Sequence, residues 1–379
     1  MISESRLIEE FKELVQIDSE TKQERAIADR LTEKLIALGF TVIEDESAAK
    51  TGHAAGNLIA TLPANTDKSI PKLFFTSHMD TVKPGIGIVP VIDEEGYITS
   101  STDTILGADD KAGIAALFEM IRVLKEQNIE HGQIQLIITA GEESGLMGAR
   151  SMDASLVDAD FGYALDSNGT VGTIAVAAPT QARIVMEIFG RSAHAGVNPE
   201  DGISAIQVAG KAISRMKLGR IDHETTANIG KFEGGEATNV ICDYARLEAE
   251  ARSLIHEKVE VQLAAMKESL ESTCADFGAT GKFQSVIVYP GFKFTEDDAV
   301  VQLAQRAASK LGVPNDIFHT GGGSDANIFN SFGIPTANLA VGYEFIHTTD
   351  ERIHKDELIR AAHLVTEIVR ETSQLTEWK

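Results

Sequence analysis

A chain of 379 residues is long for one domain and comfortable for two, and its 43% hydrophobic content leaves enough apolar side chains for a sizeable core. A net charge of -23 argues against nucleic acid and anionic membrane surfaces, both of which need Lys and Arg, and suits a site that gathers cations. The two cysteines, Cys242 and Cys274, make no disulfide framework and fit a reducing compartment.

The opening "MISESRLIEEFKELVQI" has the period of an acidic amphipathic helix and lacks the basic start and apolar run of a signal peptide. No apolar stretch reaches the roughly 18 residues of a membrane span, so a cytoplasmic location is expected. Apolar spacing predicts helices over 4–16 and 22–39, closed by Gly39. "TVIED" and "NLIATLP" alternate as strands do. "KLFFTSHMD" is an apolar run ending in polar residues, the pattern of a buried strand meeting a loop. "DKAGIAALFEMIRVLKEQ" reads as a helix. "QIQLIITAGEES" and "FGYALDSNG" repeat the strand-then-polar-loop pattern. Such alternation predicts an α/β domain with a mostly parallel sheet and helices on both faces.

From residue 179 the strands lengthen and alternate, as in "QARIVMEIFGRSAH", "TTANIGKFEGG", "DYARLEAEARSL" and "KFQSVIVYPGF". Helical patterns fall near 201–218 and 256–276. This order predicts a smaller α+β domain with an antiparallel sheet, inserted over 179–289. The first style returns with a helix at 297–311, a short strand, "TGGGSDAN", the strand "TANLAVG" and a last helix at 355–375. The first domain therefore comprises 1–178 and 290–379.

Ligands of open α/β sheets bind beyond the carboxyl ends of the strands, where His78, Asp80, Glu142, Glu143 and Asp166 all fall. Each has a plainer reading alone. His78 could be a solvated loop residue, Glu142 and Glu143 an acidic first helical turn, Asp166 a turn former, and His347 an ordinary loop histidine. With Asp109 of "LGADDKAGIAAL", Asp166 and one glutamate of the pair, two imidazoles and three carboxylates make a ligand set for zinc, manganese or cobalt. The set fits two ions with one shared carboxylate, an arrangement that lowers the pKa of a bound water. The adjacent pair Asp109–Asp110 is electrostatically costly unless cations lie against it.

"SHMDTV", "TILGADDKAGIA", "AGEESG", "ALD" and a late histidine resemble, in order and across the chain, the co-catalytic zinc exopeptidases. These include peptidase T, glutamate-releasing carboxypeptidases, aminoacylase and succinyl-diaminopimelate desuccinylase. "ATLPAN" and the long "LGADDKAGIA" stretch are similar to the peptidase T branch. The resemblance implies hydrolysis of small peptides with two metal ions, zinc first, cobalt or manganese as substitutes. His78 and Asp166 would hold one ion, Glu143 and His347 the other, and Asp109 would bridge. Asp80 would orient His78, and Glu142 would be the general base. The inserted domain would be a lid that also dimerises. In "GRSAHAG", His194 would reach the substrate carbonyl. Arg252 of "EAEARSL" would hold the substrate carboxylate. Asn239, Gly323, Ser324 and Asp325 would line the pocket. The family carries a cis bond where Asp109 meets Asp110; a trans bond would leave Asp110 a simple helix cap.

Two other functions use the same residues: an N-acyl amino acid deacylase or desuccinylase, and a metal-binding protein without catalysis. Glu142 and His194 are both present, which disfavours the second. "TGGGSDAN" matches no phosphate loop, so a nucleotide-binding enzyme is not expected.

Overall fold

In the computed structural model, which describes residues 1–378, the apolar run ahead of His78 forms the strand Leu73–His78, buried at every position. Its side chains alternate between two cores. Leu73 and Phe75 join the larger one, with Leu117, Ile121 and Tyr163, whereas Phe74 packs with Ile59, Ile137 and Phe329 on the other face. This double burial is why the strand reads as a continuous apolar run.

One compact unit comprises Met1–Ala177, Phe294–Thr320 and residues 324–378. Its sheet runs in the order Thr41–Glu44, Leu58–Leu62, Ile134–Thr139, Leu73–His78, Phe161–Ser167, Thr336–Ala340, Ile174–Ala178, and Ile317–His319 pairs with the last. The centre is parallel: Leu73–His78 lies between Ile134–Thr139 and Phe161–Ser167. The Thr41–Glu44 and Leu58–Leu62 edge is antiparallel. Parallel register sets His78 opposite Thr139 and Thr76 opposite Ala164. The polar residues after all three strands therefore emerge at one end of the sheet.

The helix Ala108–Glu126 packs on this sheet through small residues. A Cβ on Gly113 would lie 2.9 Å from the Leu165 carbonyl oxygen and 2.9 Å from Ser77 Oγ, so only glycine allows so close an approach. Gly107, just before the helix, has φ +74°, a left-handed conformation that also favours glycine.

The other unit is Ala178–Lys293 with Gly321–Gly323. Its antiparallel sheet has the order Gly219–Arg220, Thr225–Gly234, Tyr244–Ser253, Thr180–Phe189, Thr280–Tyr289. Ala205–Arg215 and His256–Phe277 cover it, burying Ile184, Met186, Leu247, Val208, Met266 and Leu270. The first of these helices is shorter than the expected 201–218. Ser204 Oγ caps it at the Gln207 amide, and Met216 turns extended. Among the described residues no helix is long and apolar enough to cross a membrane.

Candidate metal centre

The polar strand ends converge on a cluster of nitrogen and oxygen donors. His78 Nε2 lies 3.0 Å from Asp109 Oδ1 and 3.8 Å from Asp166 Oδ1. His347 Nε2 lies 3.0 Å from Glu143 Oε1 and 3.4 Å from Asp109 Oδ2. The two oxygens of Asp109 thus face two different imidazoles. Three overlapping groups each gather their donors within 4.8 Å: His78–Asp109–Asp166, Asp109–Glu143–His347 and His78–Glu142–Glu143.

The electrostatics of this cluster favour added positive charge. Burial pushes the carboxyls of Glu142 and Asp166 well above the ordinary range, and the neighbouring carboxylates push them further. Glu143 moves up for the same reasons. Burial also acts to raise Asp109, yet His347 and His78 outweigh it and hold this carboxyl below its ordinary range. Hydrogen bonds to Asp109 and Glu143 carry His347 up to about 10. Burial opposes a charge on His78, but Asp109 and Asp80 keep its pKa well above the ordinary value. The same carboxylates that raise the two imidazoles would attract a divalent ion's charge. The residues therefore fit such an ion by donor type, spacing and charge.

The residues around the donors hold them from behind. His78 Nδ1 is 2.9 Å from the main-chain carbonyl oxygen of Asp80, and the Asp80 carboxylate is 3.6 Å away. The main chain thus makes the closer orienting contact with His78. The carboxylate accepts from Thr21 Oγ1 at 2.7 Å and from the amides of Glu142 (3.0 Å) and Glu143 (3.3 Å), fixing the loop that carries both glutamates. Asn338 brackets the main chain of Asp166, accepting from its N–H and donating to its carbonyl oxygen, and Tyr343 Oη donates to Asp166 Oδ1. The Asp109–Asp110 bond is cis. Asp110 is not a simple helix cap: its carboxyl meets Ser77 Oγ and the His78 amide.

Thr21, Asn338 and Tyr343 escaped sequence reasoning. Asn338 alone left a trace there, as a polar residue inside the apolar strand "TANLAVG". Asp325 is buried beside Thr139, whose hydroxyl donates to it, and Ser324 caps the helix that Asp325 opens. In the other unit, His194 is exposed, and its Nδ1 accepts from the Gly196 amide at 3.2 Å. Asn239 is its neighbour across the backbone, through the bond from the Ala195 amide to the Asn239 carbonyl oxygen at 2.9 Å. Arg252 is half-buried, ion-paired to Glu250 at 3.0 Å, and donates to the Gly321 carbonyl oxygen. Gly323 lies against Tyr289, whose ring a Cβ there would meet at 2.4 Å.

Fold and donor set fit a metal-dependent hydrolase, and its family and relatives make it a metal-dependent peptidase. The chain belongs to peptidase family M20/M25/M40, whose model matches residues 74–371. It is similar to aminopeptidase PepT from Bacillus cereus, with 57% identity, 98% of this chain and 99% of that one covered, and a TM-score of 0.93. A tripeptidase from Staphylococcus aureus is 50% identical, with 99% and 100% covered and a TM-score of 0.96. Peptidase T of Geobacillus kaustophilus is 28% identical over 91% of this chain and 90% of its own length.

Proposed function

We propose that this chain is a peptidase T-like aminopeptidase that cleaves tripeptides with two divalent ions, zinc first and cobalt or manganese as substitutes. The observation that carries the reading is Asp109, with one oxygen toward His78 and the other toward His347. His78 and Asp166 would hold one ion, Glu143 and His347 the other, and Asp109 would serve both. Relatives that are a PepT aminopeptidase and a tripeptidase, matched over nearly the whole chain, support the peptide substrate.

Ions held there would supply Lewis acidity toward the scissile carbonyl and toward a water, lowering that water's pKa toward neutral pH. Glu142, next to the ligand Glu143, takes the water's proton and returns it to the departing amine. Asp80 fixes the loop of both glutamates and keeps its carboxylate near His78. His194 hydrogen-bonds the carbonyl oxygen as it gains charge. Arg252 pairs with the peptide's carboxylate, and Asn239, Gly323, Ser324 and Asp325 line the pocket. Residues 1–178 and 290–379 are the catalytic domain. Residues 179–289 are the lid, through which the enzyme forms a homodimer in the cytoplasm.

A panel of di- and tripeptides against N-acyl amino acids, run on zinc-loaded enzyme with a chelated control, tests the reading. Tripeptides with a free amino terminus should give the highest kcat/KM. A preference for N-acetyl or N-succinyl amino acids would replace the reading with a deacylase. His194→Ala should lower kcat by about 10²–10³-fold, the cost of an oxyanion donor, with metal content unchanged. Inductively coupled plasma mass spectrometry beside the kinetics checks both halves.

A further inference from the structure

Glu351 lies between the loop that bears His347 and the strand Arg352–His354. It is 2% exposed, and its carboxyl faces main chain more than two hundred residues upstream. Oε2 accepts from the amides of Leu106 and Gly107, each at 2.8 Å, and Oε1 accepts from the amide of Asp109 at 3.0 Å. These amides stand at the start of the helix Ala108–Glu126, where N–H groups have no partner within the helix. A negative group there also complements the helix dipole. The fully buried ammonium of Lys111, bonded to Ser19 Oγ at 2.7 Å, lies within electrostatic reach of Glu351, Asp80 and Asp109.

The other side of the clamp is the His347 loop. Phe345 and His347 adopt left-handed backbone, with φ +56° and +63°. Non-glycine residues keep such conformations only where surrounding contacts impose them. Four residues after His347, Glu351 ties this loop to the very residue whose carboxylate His347 meets at 3.4 Å.

We propose that Glu351 is a positioning residue for one metal position: it holds Asp109 and the His347 loop in the mutual register that the Asp109–Glu143–His347 group needs to bind a divalent cation. The proposal rests on the reading that this trio holds an ion. Glu351 touches neither ion nor substrate. Its effect passes through the Asp109 amide and through the short segment to His347.

The test is binding of Zn²⁺ alone to the full chain, by competition with a chromophoric chelator and with no peptide present. Glu351→Gln keeps the shape but turns an amide N–H toward main-chain N–H groups. It should weaken the ion of the Glu143–His347 position by roughly 10–100-fold, the usual cost of losing a partner behind the ligands, and weaken less the other ion, which shares Asp109 but not the His347 loop. In a Glu143→Ala background, which already lacks that ion, Glu351→Gln should add at the remaining one only the smaller loss that passes through Asp109. Glu351→Asp, one methylene shorter, should fold even if the Gln variant does not, and should show the same selective loss to a smaller degree. Wild-type affinity for both ions in the variants would overturn the proposal. So would equal weakening of both ions, the mark of a merely destabilised fold. A wild-type chain that binds two ions but cleaves no peptide would count against the peptidase reading and not against this one.

Discussion

Glu142→Gln is expected to lower kcat by about 10²–10⁴-fold while both metal ions stay bound. The two adjacent glutamates are placed differently. Glu143 Oε1 meets His347 at 3.0 Å and belongs to the group that also contains Asp109. Glu142 falls within donor distance of His78 and Glu143, so it could itself be a ligand. The amide variant separates the two roles. Glutamine matches glutamate in size, still offers an oxygen to a neighbour, and cannot take a proton from water. If Glu142 handles protons, the loss falls on kcat, and metal content by mass spectrometry is unchanged. If Glu142 is a ligand, the variant loses metal and added zinc partly restores its activity. Near-normal kcat would remove Glu142 from the chemistry altogether.

The residues that gather in the donor cluster were legible because each sits where a strong local pattern changes. His78, Glu142, Glu143 and Asp166 follow apolar runs that end abruptly, and such breaks mark strand ends in any α/β sheet. Asp109 stood out as half of a costly pair. The long strands of the inserted unit were legible through alternation: Tyr244–Ser253 buries Ala245, Leu247, Ala249, Ala251 and Ser253 in turn. The order and direction of strands were less so. Leu58–Leu62 joins the sheet antiparallel to Ile134–Thr139, and nothing in its five residues specifies a partner. Residues that act at long range left little trace. Thr21 reaches Asp80 across 59 positions, and Glu351 reaches Gly107 across 244. Single polar residues in loops are common, and only the fold shows which face a ligand. The relation of His78 to Asp80 was half visible, because H-x-D gives the contact but not whether carboxylate or carbonyl makes the closer approach.

Removal of metal by a chelator is expected to abolish hydrolysis and to lower thermal stability, both restored by zinc, cobalt or manganese. Eight buried or half-buried carboxyls lie in or beside the cluster: Asp80, Asp109, Asp110, Glu142, Glu143, Asp166, Asp325 and Glu351. With cations absent, some must take up protons or repel one another, as the raised pKa values of Glu142 and Asp166 indicate. A ligand that binds only the folded chain stabilises it by about 2.7 kcal/mol at one hundred times its Kd. For a domain of this size, that corresponds to a fall of roughly 5–10 °C in Tm for each ion stripped. Asp109→Ala sharpens the test. If Asp109 serves both positions, this variant loses both ions, cleaves no tripeptide and shows a Tm that added zinc does not move. If it serves one, the variant keeps a single ion per chain and part of the zinc-dependent rise in Tm. Differential scanning calorimetry with metal analysis distinguishes the outcomes, and a chain still holding two ions would end the shared-carboxylate assignment. Removing Asp109 relieves its repulsion of Glu143 and Asp166 but also removes its contacts with His78 and His347, so the melt is read beside the metal content. Loss of activity with a cooperative melt would therefore place the defect in ion binding rather than in folding.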